Sequence, residues 1–361
     1  MQKKARSDKK RPYIDPEPGD EKLSPMELEW KYHVPFEGSL FPIRPDPDPE
    51  KLRKMRGHNA MVETDQKLSI FRGVDALINK LLGLDGQRAK CAALNFAHSL
   101  GAKRLRKCPR DGFGNSLVTA IYEKVHSNCF HPENRPRPSK ELWVLRTITK
   151  VSPKYSGRKS REVPLERRAV EIFELCKMLA VGPPTDVSWY NQIPTASGLV
   201  SSAFERKNAV DLVCRRKKGT YDLIELKSGA NNPAYAAIEI FKHGILYLLF
   251  ISNLENGKLE FRPAKTGLPG VDPQELVEAK EITLCVLAPK KFYDRYRLDW
   301  FETELNEGLR SFLKANPLRF LRDMQFRFEW YEDPPFVTME GGFKFHFTRE
   351  RYVWPSDTSV A

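Results

Sequence analysis

The sequence lacks the features that would indicate a membrane or an oxidising compartment. No run approaches the roughly 18 consecutive apolar residues that a membrane-spanning helix needs. The charged start, MQKKARSDKKR, has no apolar segment of the kind found in a secretory signal. The six cysteines show no paired spacing along 361 residues, which is typical of reduced thiols. We therefore expect a cytoplasmic protein with no membrane partner.

Three common catalytic motifs are also missing. The chain contains no GxxxxGK[ST] phosphate loop, no GxGxxG dinucleotide loop and no GxSxG nucleophile turn. The sequence therefore gives no indication of ATP use.

What the chain does contain is enough apolar surface for a packed core and an excess of positive charge. Apolar residues make up 40%, including 21 Phe, 12 Tyr and 6 Trp. Lys and Arg number 60 against 47 Asp and Glu, a formal charge of +13. Such a balance favours a polyanionic partner, chiefly nucleic acid or an anionic membrane surface, although many basic proteins bind no nucleic acid.

Composition and periodicity divide the chain into four regions. The first is a disordered or draped arm, rich in proline and charge. The second is a largely helical accessory region that includes a strand at Leu142–Leu145, and its role is not legible. The third is an orderly core, and the fourth adds a helix and strands that pack on it. In order they cover 1–50, 51–163, 164–289 and 290–361.

The core predicts an α/β fold with a mixed sheet. Its elements follow the order α-β-β-β-α-β, and the second helix has a capping Asn232 followed by Pro233 in its first turn. Helices should therefore cover the sheet. The predicted elements are a helix at 164–180, strands at 187–194, 208–215 and 221–227, a helix ending near 249, and a strand at 282–289; a helix at 303–314 and strands near 326–331 and 343–347 follow.

The central hairpin of this core brings three charged residues to one face. If its loop is Lys217-Lys218-Gly219, residues whose numbers sum to 436 face each other, so Asp211 faces Glu225. Side chains alternate along a strand, so Lys227 projects from the same face as both acids. A bulge at the turn would shift this register by one residue.

Two opposed carboxylates repel each other, and a hard divalent cation such as Mg²⁺ would compensate. Lys227 would then stand near metal-bound water, where its charge can stabilise the attacking hydroxide. The alternative is a solvated sheet face on which Asp211 and Glu225 pair with nearby Lys or Arg. Apolar residues flank all three on both faces, which disfavours that alternative.

Residues 164–289 resemble the PD-(D/E)XK nuclease superfamily, whose core has the same α-β-β-β-α-β order. The motif consists of Asp211 on the second strand and Glu225-Leu226-Lys227 on the third, with Val210 where the name-giving proline would stand. The resemblance implies a restriction-endonuclease-like fold, metal binding by the two acids and a catalytic role for Lys227.

The resemblance implies two further positions. Many members add an acid on the first helix, for which Glu171 is our choice, with Glu174 and Glu166 as rivals. Some members place a polar residue on the helix after the lysine strand, where the candidates are Glu239, Lys242 and His243. Asp222 should point to the opposite face of the sheet from Glu225, and we exclude it.

Two other groups of residues suggest a binding site, one for zinc and one for phosphates. The thiols and imidazoles of Cys108, His126, Cys129 and His131 suit zinc, but their spacing fits no compact finger. Basic clusters at 103–110 and 154–168 could neutralise phosphates, or they could be ordinary solvated surface.

The sequence thus predicts a Mg²⁺-dependent nuclease, with Mn²⁺ as a possible substitute, acting on DNA and most simply as an endonuclease. RNA remains open as a substrate, as do a homodimer and protein partners in a larger complex. The alternatives are a nucleic-acid-binding or assembly module that does not cleave, and a structural scaffold in which the motif is accidental.

Overall fold

A computed structural model of the chain describes twelve segments. The arm at 1–50, most of both basic clusters and the strand expected at 343–347 lie outside the described residues. All the described residues belong to one compact unit. The described segments are 69–84, 108–109, 111–148, 162–163, 165–167, 169–171, 187–200, 208–229, 232–262, 274–294, 296–332 and 349–354.

The described residues form a six-stranded mixed sheet whose strands follow sequence order from one edge to the other. The first three strands form an antiparallel meander, the third, fourth and fifth run parallel, and the sixth is antiparallel to the fifth. The predicted α/β class with a mixed sheet is confirmed. The strands are β1 (Ser188–Pro194), β2 (Ala209–Lys217), β3 (Thr220–Leu226), β4 (Glu281–Pro289), β5 (Asp323–Tyr331) and β6 (Glu350–Arg351).

Four α-helices have described bounds, and one further helical segment lies within 162–171. A short 3₁₀ helix covers Lys290–Phe292. Because β3 and β4 are parallel, the chain must cross over between them, and the third helix makes that connection. The helices are α1 (Val74–Leu81), α2 (Phe113–Cys129), α3 (Pro233–Glu255) and α4 (Asp299–Ala315).

Helix α3 begins where the sequence predicts. The side chain of Asn232 accepts a hydrogen bond from the Ala234 N–H at 2.9 Å, and Pro233 occupies the first turn. The helix is long and apolar enough to cross a membrane, but 83% of its most apolar window is buried inside the protein. This burial is that of a central core helix.

The sheet has a distinct apolar core on each face. The larger core packs α1, α2, α3 and α4 against one face, so the described part of the accessory region shares its core with the sheet. The smaller core lies on the opposite face, where Leu165, Ala169 and Val170 of the 162–171 segment contact Leu212 and Ile224. Strands buried on both faces explain the nearly continuous apolar runs of β3 and β4.

The structure corrects two details of the prediction. Leu142–Leu145 forms a turn instead of a strand, with Trp143 buried at a φ of 55° and its N–H donated to the carbonyl of Pro194. The β2–β3 turn contains only Lys218 and Gly219, and an irregularity between Arg215 and Lys217 restores the register. Gly219 has a φ of 79°, which the turn requires.

Candidate active site

The strand register places Asp211 and Glu225 opposite each other. Val213 pairs with Leu223 and Leu212 pairs with Ile224, so Asp211 and Glu225 occupy the next opposed positions. A direct contact supports the register, because the Leu226 N–H donates to Asp211 Oδ2 at 3.0 Å. The predicted opposition of the two acids follows from this register when it is continued by one pair.

Lys227 follows β3 immediately and is fixed at both ends. Its backbone N–H donates to the carbonyl of Leu287 on β4 at 2.9 Å, and its carbonyl accepts from the hydroxyl of Tyr331 on β5 at 3.0 Å. Its ammonium pairs with Glu225 Oε1 at 2.6 Å and with Glu239 Oε2 at 2.9 Å. Lys227 thus joins the strand pair to α3.

Negative charge exceeds positive charge around this ammonium. Burial raises the pKa of Glu225 well above its ordinary value and Asp211 raises it further, whereas Lys227 opposes the shift. Burial likewise raises the pKa of Asp211 against the opposing charge of Lys227, and Glu166 and Glu162 add to the rise. Such an arrangement lacks positive charge, and a divalent cation would supply it.

Lys227 responds in the opposite sense. Burial alone would lower its pKa, but the carboxylates of Glu225, Glu239 and Asp211 outweigh burial and raise the pKa above its ordinary value. The side chain is therefore a persistent ammonium at neutral pH, not a proton acceptor. Its available role is to stabilise negative charge.

Of the described acids on the helix predicted at 164–180, Glu166 is the one whose charge raises the pKa of Asp211, so it lies beside the acid pair. Glu166 is buried, and its two oxygens accept from Asn191 Nδ2 at 3.0 Å and Gln192 Nε2 at 2.8 Å. Burial raises the pKa of Glu166 to about 7, against the lowering effect of those amides. Glu171, our choice from the sequence, is exposed, and Glu174 lies outside the described residues.

Gln192 is a site residue that the sequence does not reveal. The β1–β2 pairs of Asn191 with Leu212 and of Ile193 with Val210 bracket Gln192 across from Asp211. Its φ is 53°, a left-handed conformation that non-glycine residues rarely adopt. Such strain persists only where surroundings enforce it, and it is common at functional sites. The residue types along β1 predict an ordinary strand and give no indication of this left-handed conformation.

The donor set fits a hard cation. Within the described residues, Asp211 and Glu225 each use one oxygen in a hydrogen bond, which leaves Asp211 Oδ1 and Glu225 Oε2 as possible ligands. No group of three or more His, Cys, Asp or Glu among the described residues is arranged to hold a metal ion alone. Water and phosphate oxygens would complete the coordination, as is usual for Mg²⁺.

Two of the three candidates on α3 have partners away from the acid pair. Lys242 pairs with Asp75 of α1 at 3.1 Å. His243 is buried, and its Nδ1 lies 2.9 Å from the hydroxyl of Thr195, which itself donates to the carbonyl of Asn208. That hydroxyl has one proton, so His243 donates to it. Of the three, Glu239 is the one that contacts Lys227.

Asp222 lies on the opposite face, as predicted, and belongs to a separate ionic cluster. Its carboxylate is fully buried and pairs with Arg216 and Arg349 at 2.7 Å each, with Arg327 at 3.8 Å. Glu329 pairs with Arg327 and Arg349 in the same cluster. These contacts hold the 349–354 segment against the sheet.

The four residues considered for zinc have other surroundings. Burial raises the pKa of Cys129 to about 12, and its thiol lies 3.7 Å from the carbonyl of Leu199. His126 packs against the rings of Tyr122 and Phe130. His131 is exposed and Cys108 is half-buried. These surroundings give the zinc hypothesis no support among the described residues.

Comparison of the chain with family models, with characterised proteins and with solved structures finds no match in any of the three.

Proposed function

We propose that this protein is a metal-dependent nuclease with a PD-(D/E)XK site on a restriction-endonuclease-like core. The observation that carries the proposal is the β2–β3 register, which puts Asp211 and Glu225 at opposed positions when it is continued by one pair, with the ammonium of Lys227 2.6 Å from Glu225. Two carboxylates and a lysine at one end of a hairpin suit phosphodiester hydrolysis with a divalent cation.

The topology supports the proposal independently of the motif. A helical segment, three antiparallel strands, a crossover helix and a fourth strand parallel to the third follow one another along the chain. The superfamily that the sequence resembles has this element order. Asp211 and Glu225 also lie on the corresponding strands, and Lys227 directly follows the second of these.

Each residue has a distinct role in the proposed reaction. Asp211 and Glu225 would hold the cation, and Glu166 adds negative charge beside them. Bound Mg²⁺ lowers the pKa of a water ligand and withdraws charge from a phosphoryl oxygen. Lys227 stabilises negative charge that develops at phosphorus. The water oxygen would bond to phosphorus as the bond between phosphorus and one ester oxygen of the nucleic acid breaks. The water would lose its proton to solvent and the departing oxygen would take a proton from solvent, without a covalent enzyme intermediate.

The proposed substrate is DNA. A formal charge of +13 favours a polyanion, and cleavage at a phosphodiester requires contact with its phosphates. The proposed site acts on the phosphate, which DNA and RNA share, so RNA belongs in the test beside DNA.

The experiment is a cleavage assay on supercoiled, linear and single-stranded DNA and on RNA, with Mg²⁺, Mn²⁺ or EDTA. Wild type is compared with Lys227→Ala and with Lys314→Ala, which removes an exposed lysine near the end of α4. We expect metal-dependent cutting that Lys227→Ala abolishes and Lys314→Ala retains. Equal binding of nucleic acid without cutting by any of the three would instead indicate a binding module.

A further inference from the structure

Lys227 is held between two carboxylates that come from different elements. Its ammonium lies 2.6 Å from Glu225 Oε1 on β3 and 2.9 Å from Glu239 Oε2 on α3. The side chains of Lys227 and Glu225 are 5% and 9% exposed, so little water screens this pair. Its backbone is anchored to β4 and β5, so the ammonium can move only by rotation of its own side chain.

A bound cation would compete with Lys227 for the Glu225 carboxylate, and Glu239 offers Lys227 a second partner. A cation bound by Asp211 and Glu225 would share the Glu225 carboxylate with the ammonium, and the two positive charges would repel each other at short range. Glu239 already contacts the ammonium, so a shift toward it needs no new partner to be desolvated. Without Glu239, Glu225 would be the one carboxylate among the described residues within ion-pair distance of the ammonium.

The surroundings of Glu239 keep it available to Lys227. Lys242, the nearest cationic residue along α3, is engaged by Asp75 of α1 at 3.1 Å. Tyr235 stands one turn before Glu239, and burial followed by the charge of Glu239 raises the pKa of Tyr235 to about 12. Tyr235 is thus a neutral phenol beside the carboxylate and does not compete for Lys227 as a charge.

We propose that Glu239 is a positioning residue that draws Lys227 away from Glu225 when a divalent cation binds, and so sets the place of the ammonium at the reacting phosphate. The inference rests on the proposed function for its catalytic consequence. Its consequence for metal affinity rests on the three side chains alone.

A double-mutant cycle on metal affinity tests the exchange. Mn²⁺ binding without substrate is measured by calorimetry for wild type, Glu239→Gln, Lys227→Met and the double variant. In Glu239→Gln the ammonium pairs with Glu225 alone, so we expect Mn²⁺ affinity to fall about tenfold. In the Lys227→Met background there is no ammonium to compete, and we expect the same substitution to change affinity less than about twofold.

The control is Glu307→Gln, which makes the same chemical change at an exposed carboxylate of α4. It should leave Mn²⁺ affinity unchanged, and thermal melts of all variants verify that they fold. Glu239→Gln should also lower kcat about tenfold while KM for DNA stays within about twofold, and Glu239→Asp should recover part of the loss. A merely structural role would not produce this split.

Each failure has its own signature. An equal loss of Mn²⁺ affinity in both backgrounds would make Glu239 a metal ligand and overturn the exchange. No loss in either background would overturn it as well. If the cycle gives the expected coupling while wild type cuts no nucleic acid, the exchange stands and the nuclease fails. If wild type cuts but the coupling is absent, the nuclease stands and the exchange fails.

Discussion

The backbone N–H of Leu226 donates to Asp211 Oδ2 at 3.0 Å, which fixes the Asp211 carboxylate against the residue between Glu225 and Lys227. The contact uses Oδ2 of Asp211, and the negative charge of the carboxylate stays close to Glu225. Like charges at opposed strand positions destabilise a sheet unless a cation compensates. The opposed carboxylates therefore lower the stability of the hairpin as long as no cation is bound between them.

Asp211→Asn should separate this cost from metal binding. The amide oxygen of Asn can still accept from Leu226, while the charge beside Glu225 disappears. In EDTA we expect the variant to melt about 2–4 °C above wild type, for a gain of about 1 kcal/mol. Mg²⁺ should raise the Tm of wild type and leave that of the variant unchanged. Equal Mg²⁺ shifts in the two proteins would contradict a metal site at Asp211.

Asp222→Asn makes the same chemical change on the opposite face and should have the opposite effect. Asp222 is fully buried between Arg216 and Arg349, so its loss leaves guanidinium charge uncompensated. We expect a loss of about 3 kcal/mol in the free energy of unfolding, measured by urea titration. The Mg²⁺-induced rise in Tm should remain. A variant as stable as wild type would show that the ion pairs of Asp222 with Arg216 and Arg349 contribute no net free energy to folding.

The central hairpin could be read from the sequence because several local signals agree there. Gly219 marks the turn, and the position of the turn, together with the period of two along a strand, predicts which residues of β2 and β3 share a face. Asn232 and Pro233 mark the start of α3 in the same way. Each of these features depends on residues a few positions apart.

The features that the sequence does not show depend on contacts between distant segments. Glu166 and Glu171 are both plausible on an amphipathic helix, and Asn191 and Gln192 of β1 decide between them. The left-handed backbone of Gln192 has no propensity signal, because residue type alone predicts an ordinary strand there.

Glu166 and Glu171 allow a matched comparison of two acids in the 162–171 segment. Glu166→Gln removes a buried carboxylate close enough to raise the pKa of Asp211, whereas Glu171→Gln changes an exposed one. We expect Glu166→Gln to lower kcat by about 10–100-fold, the range for groups that support a metal site. Glu171→Gln should stay within about twofold of wild type. Steady-state cleavage at saturating Mg²⁺ measures both, and the reverse ranking would restore Glu171.

His243 provides a test of acid stability that does not involve the metal site. Burial lowers its pKa from 6.5 to about 3, with the charges of Lys242 and Lys227 acting in the same direction. Between pH 6.5 and about pH 3, His243 binds a proton in the unfolded chain and stays neutral in the native state. Stability is therefore lost as pH falls below about 6.5, by about 2 kcal/mol at pH 5 for this group.

His243→Asn removes the titration and keeps an N–H that can donate to the hydroxyl of Thr195. The smaller side chain should cost stability at pH 7, since it leaves space in a buried site. That cost should shrink by about 2 kcal/mol when urea unfolding is repeated at pH 5, because wild type alone then carries the protonation penalty. Other titrating groups are common to both proteins and cancel in the difference. An equal cost at pH 7 and pH 5 would mean that native His243 takes up a proton as readily as it does in the unfolded chain. That result would contradict a buried neutral imidazole.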